Sequence, residues 1–307
     1  MSICIVAART AALSSALSAT LLVALGLAGC ASAPVPTPTT TPAAAVPPRS
    51  AAPWPERLQA LLPTDVLLLG EQHDAPDHQR LQREAVQWLA ERGQLAALVL
   101  EMAERGHGTA GLPRDATEAA VQAALQWRDA AWPWAAYGPV VMAAVRAGVP
   151  VLGGNLPRAE MRSAMADTRW DRHLGAPAMD RQIAALRDGH CGLLPPSQLA
   201  PMARIQIARD AAMADVARAA RQPGQTVVLV AGGGHVLRSL GVPTHWPPDF
   251  RSKVALALTD PSSTAIKSEA GAQKPQAGDA DTLLHTPALP PKDHCAALRQ
   301  QWAPRAQ

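Results

Sequence analysis

The sequence is short of phenols, of lysines and of net charge. One tyrosine and one phenylalanine stand against 8 tryptophans in 307 residues, so any role that needs a phenol falls on Tyr137. Lysine is absent before Lys253, which leaves arginine to grip anions in the body of the chain. The formal net charge is only +3 and no basic run carries interleaved aromatics, which excludes nucleic acid as a partner. The arginine bias, with so much Ala and Pro, fits genomic base composition better than a mechanism.

Long apolar runs are missing except near the start. Residues 13–27 follow a head containing Arg9 and end at Leu27-Ala28-Gly29-Cys30. The run is too short and too weakly flanked to span a membrane and predicts a signal peptide over 1–29. Leu-Ala-Gly-Cys resembles a bacterial lipobox, so Cys30 is expected to be lipidated and to hold the chain at a membrane. Ala31 after it, rather than Asp, points to the outer membrane. Cys4 leaves with the leader, and Cys191 and Cys295 remain. In an exported protein such a pair suggests a disulfide, worth roughly 4–5 kcal/mol on the chain-entropy model; two free thiols are the alternative.

Residues 30–55 are Pro, Thr, Ser and Ala with little else, a composition that cannot bury a core and predicts an extended tether. Residues 56–260 read as one α/β domain. Strands are expected at 66–70, 95–102, 149–153, 226–231 and 254–259. Helices are expected at 56–62, 77–92, 116–128 and 138–147. The second of these carries Leu81, Ala85, Trp88 and Leu89 at helical spacing, with Pro76 near its start and Gly93 past its end. The mostly helical stretch at 158–222 predicts a small inserted helical-bundle subdomain. Strands alternating with helices imply a parallel sheet flanked by helices, with strand one, its helix and strand two as a βαβ unit. Residues 261–307 read as a low-complexity segment and a tail.

Four expected strands end on polar or glycine-rich sequence: Glu71 and His73 after the first, Glu101 in the second, Asn155 after the third, and Gly232-Gly233-Gly234-His235 after the fourth. In a parallel sheet those ends share one edge, where such folds place ligands. Two carboxylates and two imidazoles there can hold a divalent metal or move protons, although each residue alone has an ordinary structural explanation. The glycine triplet lacks the spaced phosphate fingerprint and reads as close backbone approach to a neighbour or a flat ligand. Gln206 and Asp210 share a helix face and read as a solvated pair. Trp132-Pro133-Trp134-Ala135-Ala136-Tyr137 can line a site for a planar ligand, or simply bury a joint between subdomain and sheet.

In order along the chain, LLLGEQHDAPDHQ, LVLEM, WPWAAYGP, GGNLPR, IQIARDAAMA and VAGGGHVLRSLGVP resemble the ChaN family of haem-binding lipoproteins. The resemblance implies a periplasm-facing lipoprotein for iron or haem uptake, with a homodimer holding two cofacial haems, a tyrosine on each iron, and an outer-membrane haem or iron receptor as partner. Transferred here, the iron ligand falls to Tyr137, a phenolate being suited to ferric haem. Propionate pairing falls to Arg158 or Arg105, and His73, His78, His190 and His235 are further haem-contact candidates. The wider superfamily includes erythromycin esterases and Tiki-type metalloproteases, which Gly70-Glu71-Gln72-His73 and Gly232-Gly233-Gly234-His235 also resemble. That implies an alternative: a hydrolase in which Glu71, His73, Glu101 and His235 activate water, with or without a divalent metal. A surface lipoprotein that keeps the ancestral site only for folding is a third possibility.

Overall fold

Val66-Leu67-Leu68-Leu69 carries no polar side chain on either face, and a strand of that composition must be covered on both sides. In the computed structural model, which describes residues 52–260 and 275–302, this run is β1 (Val66–Glu71), buried along its whole length. The leader, Cys30 and residues 31–51 lie outside the described residues.

Along the chain, α1 (Trp54–Ala60) and β1 lead through α2 (Pro76–Glu91) to β2 (Leu95–Glu104), then α3 (Glu118–Ala124), α4 (Trp134–Ala147) and β3 (Val151–Asn155). The helices α5 (Met161–Ala166), α6 (Ala176–Gly189) and α7 (Pro196–Ala219) precede β4 (Thr226–Gly232) and the one-turn α8 (Gly233–Val236). β5 (Ser252–Thr259), β6 (Thr282–Thr286) and α9 (His294–Trp302) complete the described chain. Among the described residues no helix is long and apolar enough to cross a membrane.

The strands form one six-stranded parallel sheet in the order β3-β2-β4-β1-β5-β6. β1 therefore does not pair with β2. β4 enters between them, with Leu67 opposite Val228 on one side and Leu98 opposite the same Val228 on the other. Alternation along the strands divides the core: Leu67, Leu69, Leu98, Leu100 and Val230 pack against α2 and α4, while Val66, Leu68, Val99 and Leu229 pack against Met213, Ala214 and Ala217 of α7. The expected helical insertion is present, and its longest helix also covers one face of the sheet.

Several boundaries depart from expectation. α4 begins at Trp134 rather than Gly138, because the Asp129 carboxylate accepts from the Trp134 amide at 2.7 Å and satisfies an open helix end. β3 lies two residues later than expected, at Val151–Asn155. β6 lies where low-complexity sequence was expected: Thr282-Leu283-Leu284-His285-Thr286 is a short edge strand that buries only Leu284 and Thr286, so it carries too little apolar signal to stand out among Pro, Ala, Ser and Thr. Cys191 and Cys295 form a disulfide with Cα atoms 5.7 Å apart, fastening α9 to the turn after α6.

Candidate functional site

Because β3, β2, β4 and β1 are consecutive in the sheet, Asn155, Glu101, Gly232 and Glu71 stand side by side along its carboxyl edge. Glu71, 3 % exposed, is completely engaged. Its Oε1 accepts from the Tyr137 hydroxyl at 2.7 Å and from His73 Nδ1 at 2.8 Å; its Oε2 accepts from the amides of Gln79 and Gln82, each at 2.7 Å. A carboxylate offers about four lone-pair directions, and here all are taken. Glu71 is thus a structural anion with no free position to activate a water, which disfavours the hydrolase alternative. Gln79 and Gln82 lie three apart on the buried face of α2, where apolar residues would be the rule.

Glu101, equally buried, sits between the two imidazoles. Its Oε2 accepts from the Gly232 amide at 2.7 Å and lies 3.9 Å from His73 Nε2, and its Oε1 lies 3.5 Å from His235 Nε2. Gly232 is required here: a Cβ would come within 2.8 Å of His73 Nε2. The glycine triplet thus serves close approach to a neighbour. His235 in turn donates from Nδ1 to Asp210 at 2.6 Å, so Asp210 is a buried partner of the edge and not half of a solvated pair.

Neighbouring charges in this row work against burial at each group. Burial opposes a charge on His235, but Asp210 and Glu101 outweigh it and hold the imidazole up at about 9. Burial raises Asp210 to about 6 against the pull of His235. Burial would also raise Glu101, yet His235 and His73 bring it below its ordinary value. On His73, burial is overcome by the hydrogen bond to Glu71 and the charge of Glu101, so its affinity for a proton rises. At neutral pH His235 is a cation between two carboxylates. Among the described residues no group of three or more His, Cys, Asp or Glu side chains is disposed to hold a metal ion.

Tyr137 lies in the first turn of α4 and is 1 % exposed. Its ring meets Trp132 edge-on at 6.0 Å and Trp127 at 6.0 Å, and Trp132 also meets His73 at 4.8 Å. Burial, then the negative charge of Glu71, holds the phenol well above its usual range. Beside this assembly opens a cleft of about 400 Å³, within the range of ordinary small-molecule sites, roughly 300–1,000 Å³. Leu125, Trp132, Leu156 and Met161 supply apolar wall; Arg128, Arg158 and Arg209 supply cations. Two polar atoms in its lining are buried without a partner, Asn155 Oδ1 and Arg209 Nε. Tyr137 contributes no wall.

Of the other expected contacts, His78 is committed elsewhere: Nδ1 accepts from the Gln72 amide at 2.9 Å and Nε2 faces Thr286 Oγ1 at 3.0 Å, pinning β6. His190 caps α6 through the Leu186 carbonyl at 2.8 Å. Arg105 pairs with Glu160 on the surface at 2.9 Å. Sequence reasoning missed Gln79, Gln82, Arg128, Arg209 and His107. Gln79 and Gln82 did leave a signal, as polar residues on the apolar face of a well-marked helix.

A family model described as haem-binding uptake, Tiki superfamily, ChaN matches residues 57–245. The chain belongs to this ChaN family. A solved structure of cofacial haem binding to ChaN of Campylobacter jejuni is 22% identical, covers 70% of this chain and 88% of that one, and superposes with a TM-score of 0.54, in agreement on the fold. The type III effector HopBA1 matches at 18% identity over 73% of this chain and 88% of its own, with a TM-score of 0.38. No curated protein matches.

Membership of the ChaN family makes haem the cofactor, and the residues meet it unevenly. The cleft offers apolar side chains and three guanidinium groups, which suit a flat apolar ring bearing carboxylates, and two carboxylates, Glu101 and Glu104, which do not. The expected iron ligand does not fit. Tyr137 is sealed in the core, its proton is held tightly, and its hydroxyl is spent on Glu71.

Proposed function

We propose that this ChaN-family chain is a lipoprotein of the bacterial cell envelope that holds ferric haem for iron or haem uptake, seating it in the cleft beyond β2 and β3. One observation carries the seat: Arg128, Arg158 and Arg209 line a cleft beside the apolar side chains of Leu125, Trp132, Leu156 and Met161, with the carboxylates of Glu101 and Glu104 also in its wall. A guanidinium grips a carboxylate through a planar fork, so these arginines take the propionates while Trp132, Leu125, Leu156 and Met161 cover the ring. Bound haem is cargo, and the chain's task is to hold it and release it.

The envelope placement is supported by the leader pattern at 1–29, the lipobox ending in Cys30 and the tether at 30–55; a disulfide suits an oxidising compartment. Ala31 after the cysteine, rather than Asp, supports the outer membrane, and the side facing the periplasm is proposed from the family resemblance. A homodimer with cofacial haems is proposed by analogy with the Campylobacter jejuni protein, and an outer-membrane haem or iron receptor is the proposed partner.

Titration of the purified protein with ferric haem tests the seat. A Soret shift is expected, and Arg128→Glu and Arg158→Glu are each expected to weaken binding by roughly tenfold or more, the scale of one charge-assisted hydrogen bond. Wild-type protein that produces no shift would overturn the proposal.

A further inference from the structure

The cleft has an iron ligand to offer, and it is not the tyrosine. Of the described histidines, only His107 lines it. His73 and His235 spend Nδ1 on Glu71 and Asp210 and turn Nε2 toward Glu101. His78 and His190 are tied to Gln72, Thr286 and Leu186. His107 is half-buried at the cleft wall, and its ring has no hydrogen-bond partner among the described residues.

Its backbone, by contrast, is firmly held. Beyond β2 the chain turns at Gly106, whose φ of +97° suits glycine, and comes back along β3. The His107 carbonyl accepts from the Gly153 amide at 2.9 Å, and the Thr109 amide donates to Val151 at 2.9 Å. The Val151 amide donates to Thr109 Oγ1 at 2.9 Å. Gly108 bridges Leu152 so closely that a Cβ would lie 2.9 Å from the Val151 carbonyl. A firmly held backbone that places an uncommitted imidazole in the wall of an arginine-lined cleft is a pre-organised ligand position.

We propose that His107 ligates the haem iron in this protein, in place of the phenolate of Tyr137. The inference rests on the cleft being the haem seat. An imidazole nitrogen is a good donor to haem iron. Of the cleft's other donors, the Met102 and Met161 thioethers are softer ligands less suited to the ferric state. The Glu101 carboxylate is held by the Gly232 amide between two imidazoles, which leaves the Glu104 carboxylate as the one rival to His107 in the wall. Tyr137 then serves to orient Glu71, and its hydroxyl stays protonated.

The test uses the mature chain loaded with ferric haem and read by absorption, magnetic circular dichroism and resonance Raman. Wild-type protein is expected to show nitrogen ligation and no tyrosinate bands. His107→Ala is expected to alter the spectrum and weaken haem binding by roughly tenfold or more, with added imidazole restoring the wild-type spectrum. Tyr137→Phe is expected to keep it. Tyrosinate bands in the wild type, or a His107→Ala spectrum identical to it, would overturn the assignment and leave the seat standing. Wild-type protein that binds no haem would overturn both. The wild-type Raman spectrum decides between imidazole and phenolate even if Tyr137→Phe fails to fold.

Discussion

The Tyr137 hydroxyl donates to Glu71 Oε1 at 2.7 Å, joining the first turn of α4 to the end of β1 inside the core. With His73, Gln79 and Gln82 on the same carboxylate, this bond belongs to a fully satisfied buried network, where losing one member leaves others unpaired.

Glu71→Gln would place an amide among four donors. It is expected to lower stability by roughly 3 kcal/mol or more, and Tyr137→Phe by about 1–2 kcal/mol. Chemical denaturation of both variants checks the order. Equal losses would mean that Glu71 is less committed than its four contacts indicate.

The His235–Asp210 pair ties stability to alkaline pH. The folded value of His235, about 9, lies above its unfolded value of 6.5. Its contribution is therefore complete below pH 6.5 and is lost as pH rises through 9, at most roughly 3 kcal/mol. His235→Gln should be less stable at pH 7 and should flatten this limb. Melting curves from pH 6 to 10 make the comparison.

On the acid side the sign reverses. His245 stacks on His173 with ring centroids 3.9 Å apart, and its Nε2 is buried without a partner. Burial, then His173, pushes it down to about 3. A histidine lowered in this way supports the fold fully above pH 6.5 and loses that support as pH falls toward 3, up to roughly 5 kcal/mol. Asp210, raised to about 6, acts in the opposite direction between 3.8 and 6. The difference between wild type and His245→Phe isolates the histidine: the variant should hold its stability further into acid.

Helix α9 buries none of its residues, so the Cys191–Cys295 bond is its main attachment. Reduction should free residues 294–302 to exchange and proteolysis while the sheet stays intact. With a sequence separation of 104 between the cysteines, the loss is bounded by about 4–5 kcal/mol on the chain-entropy model. Hydrogen exchange with and without reductant should show the change confined to α9 and the turn after α6; uniform loosening would mean that the bond supports the whole domain.

Much of the fold was legible in the chain. Runs such as Leu67-Leu68-Leu69 and Val227-Val228-Leu229 announce buried strands, and the spacing of Ala85 and Leu89 marks α2, because burial on two faces or one leaves a local trace. β6 left almost none, since an edge strand buries little. Residue order was silent on β4 entering between β1 and β2.

The site divides the same way. From the sequence alone came the carboxyl-edge polar residues, the cysteine pair, the arginine bias and the ordered motifs of the ChaN family, all set by short-range pattern. Only the tertiary structure decided which groups meet: Asp210 with His235, Gln79 and Gln82 with Glu71, and His107 with the cleft. It also turned Tyr137 inward. A side chain's partner depends on how helices lie across the sheet, and that depends on contacts between residues far apart in the chain, which no local pattern records.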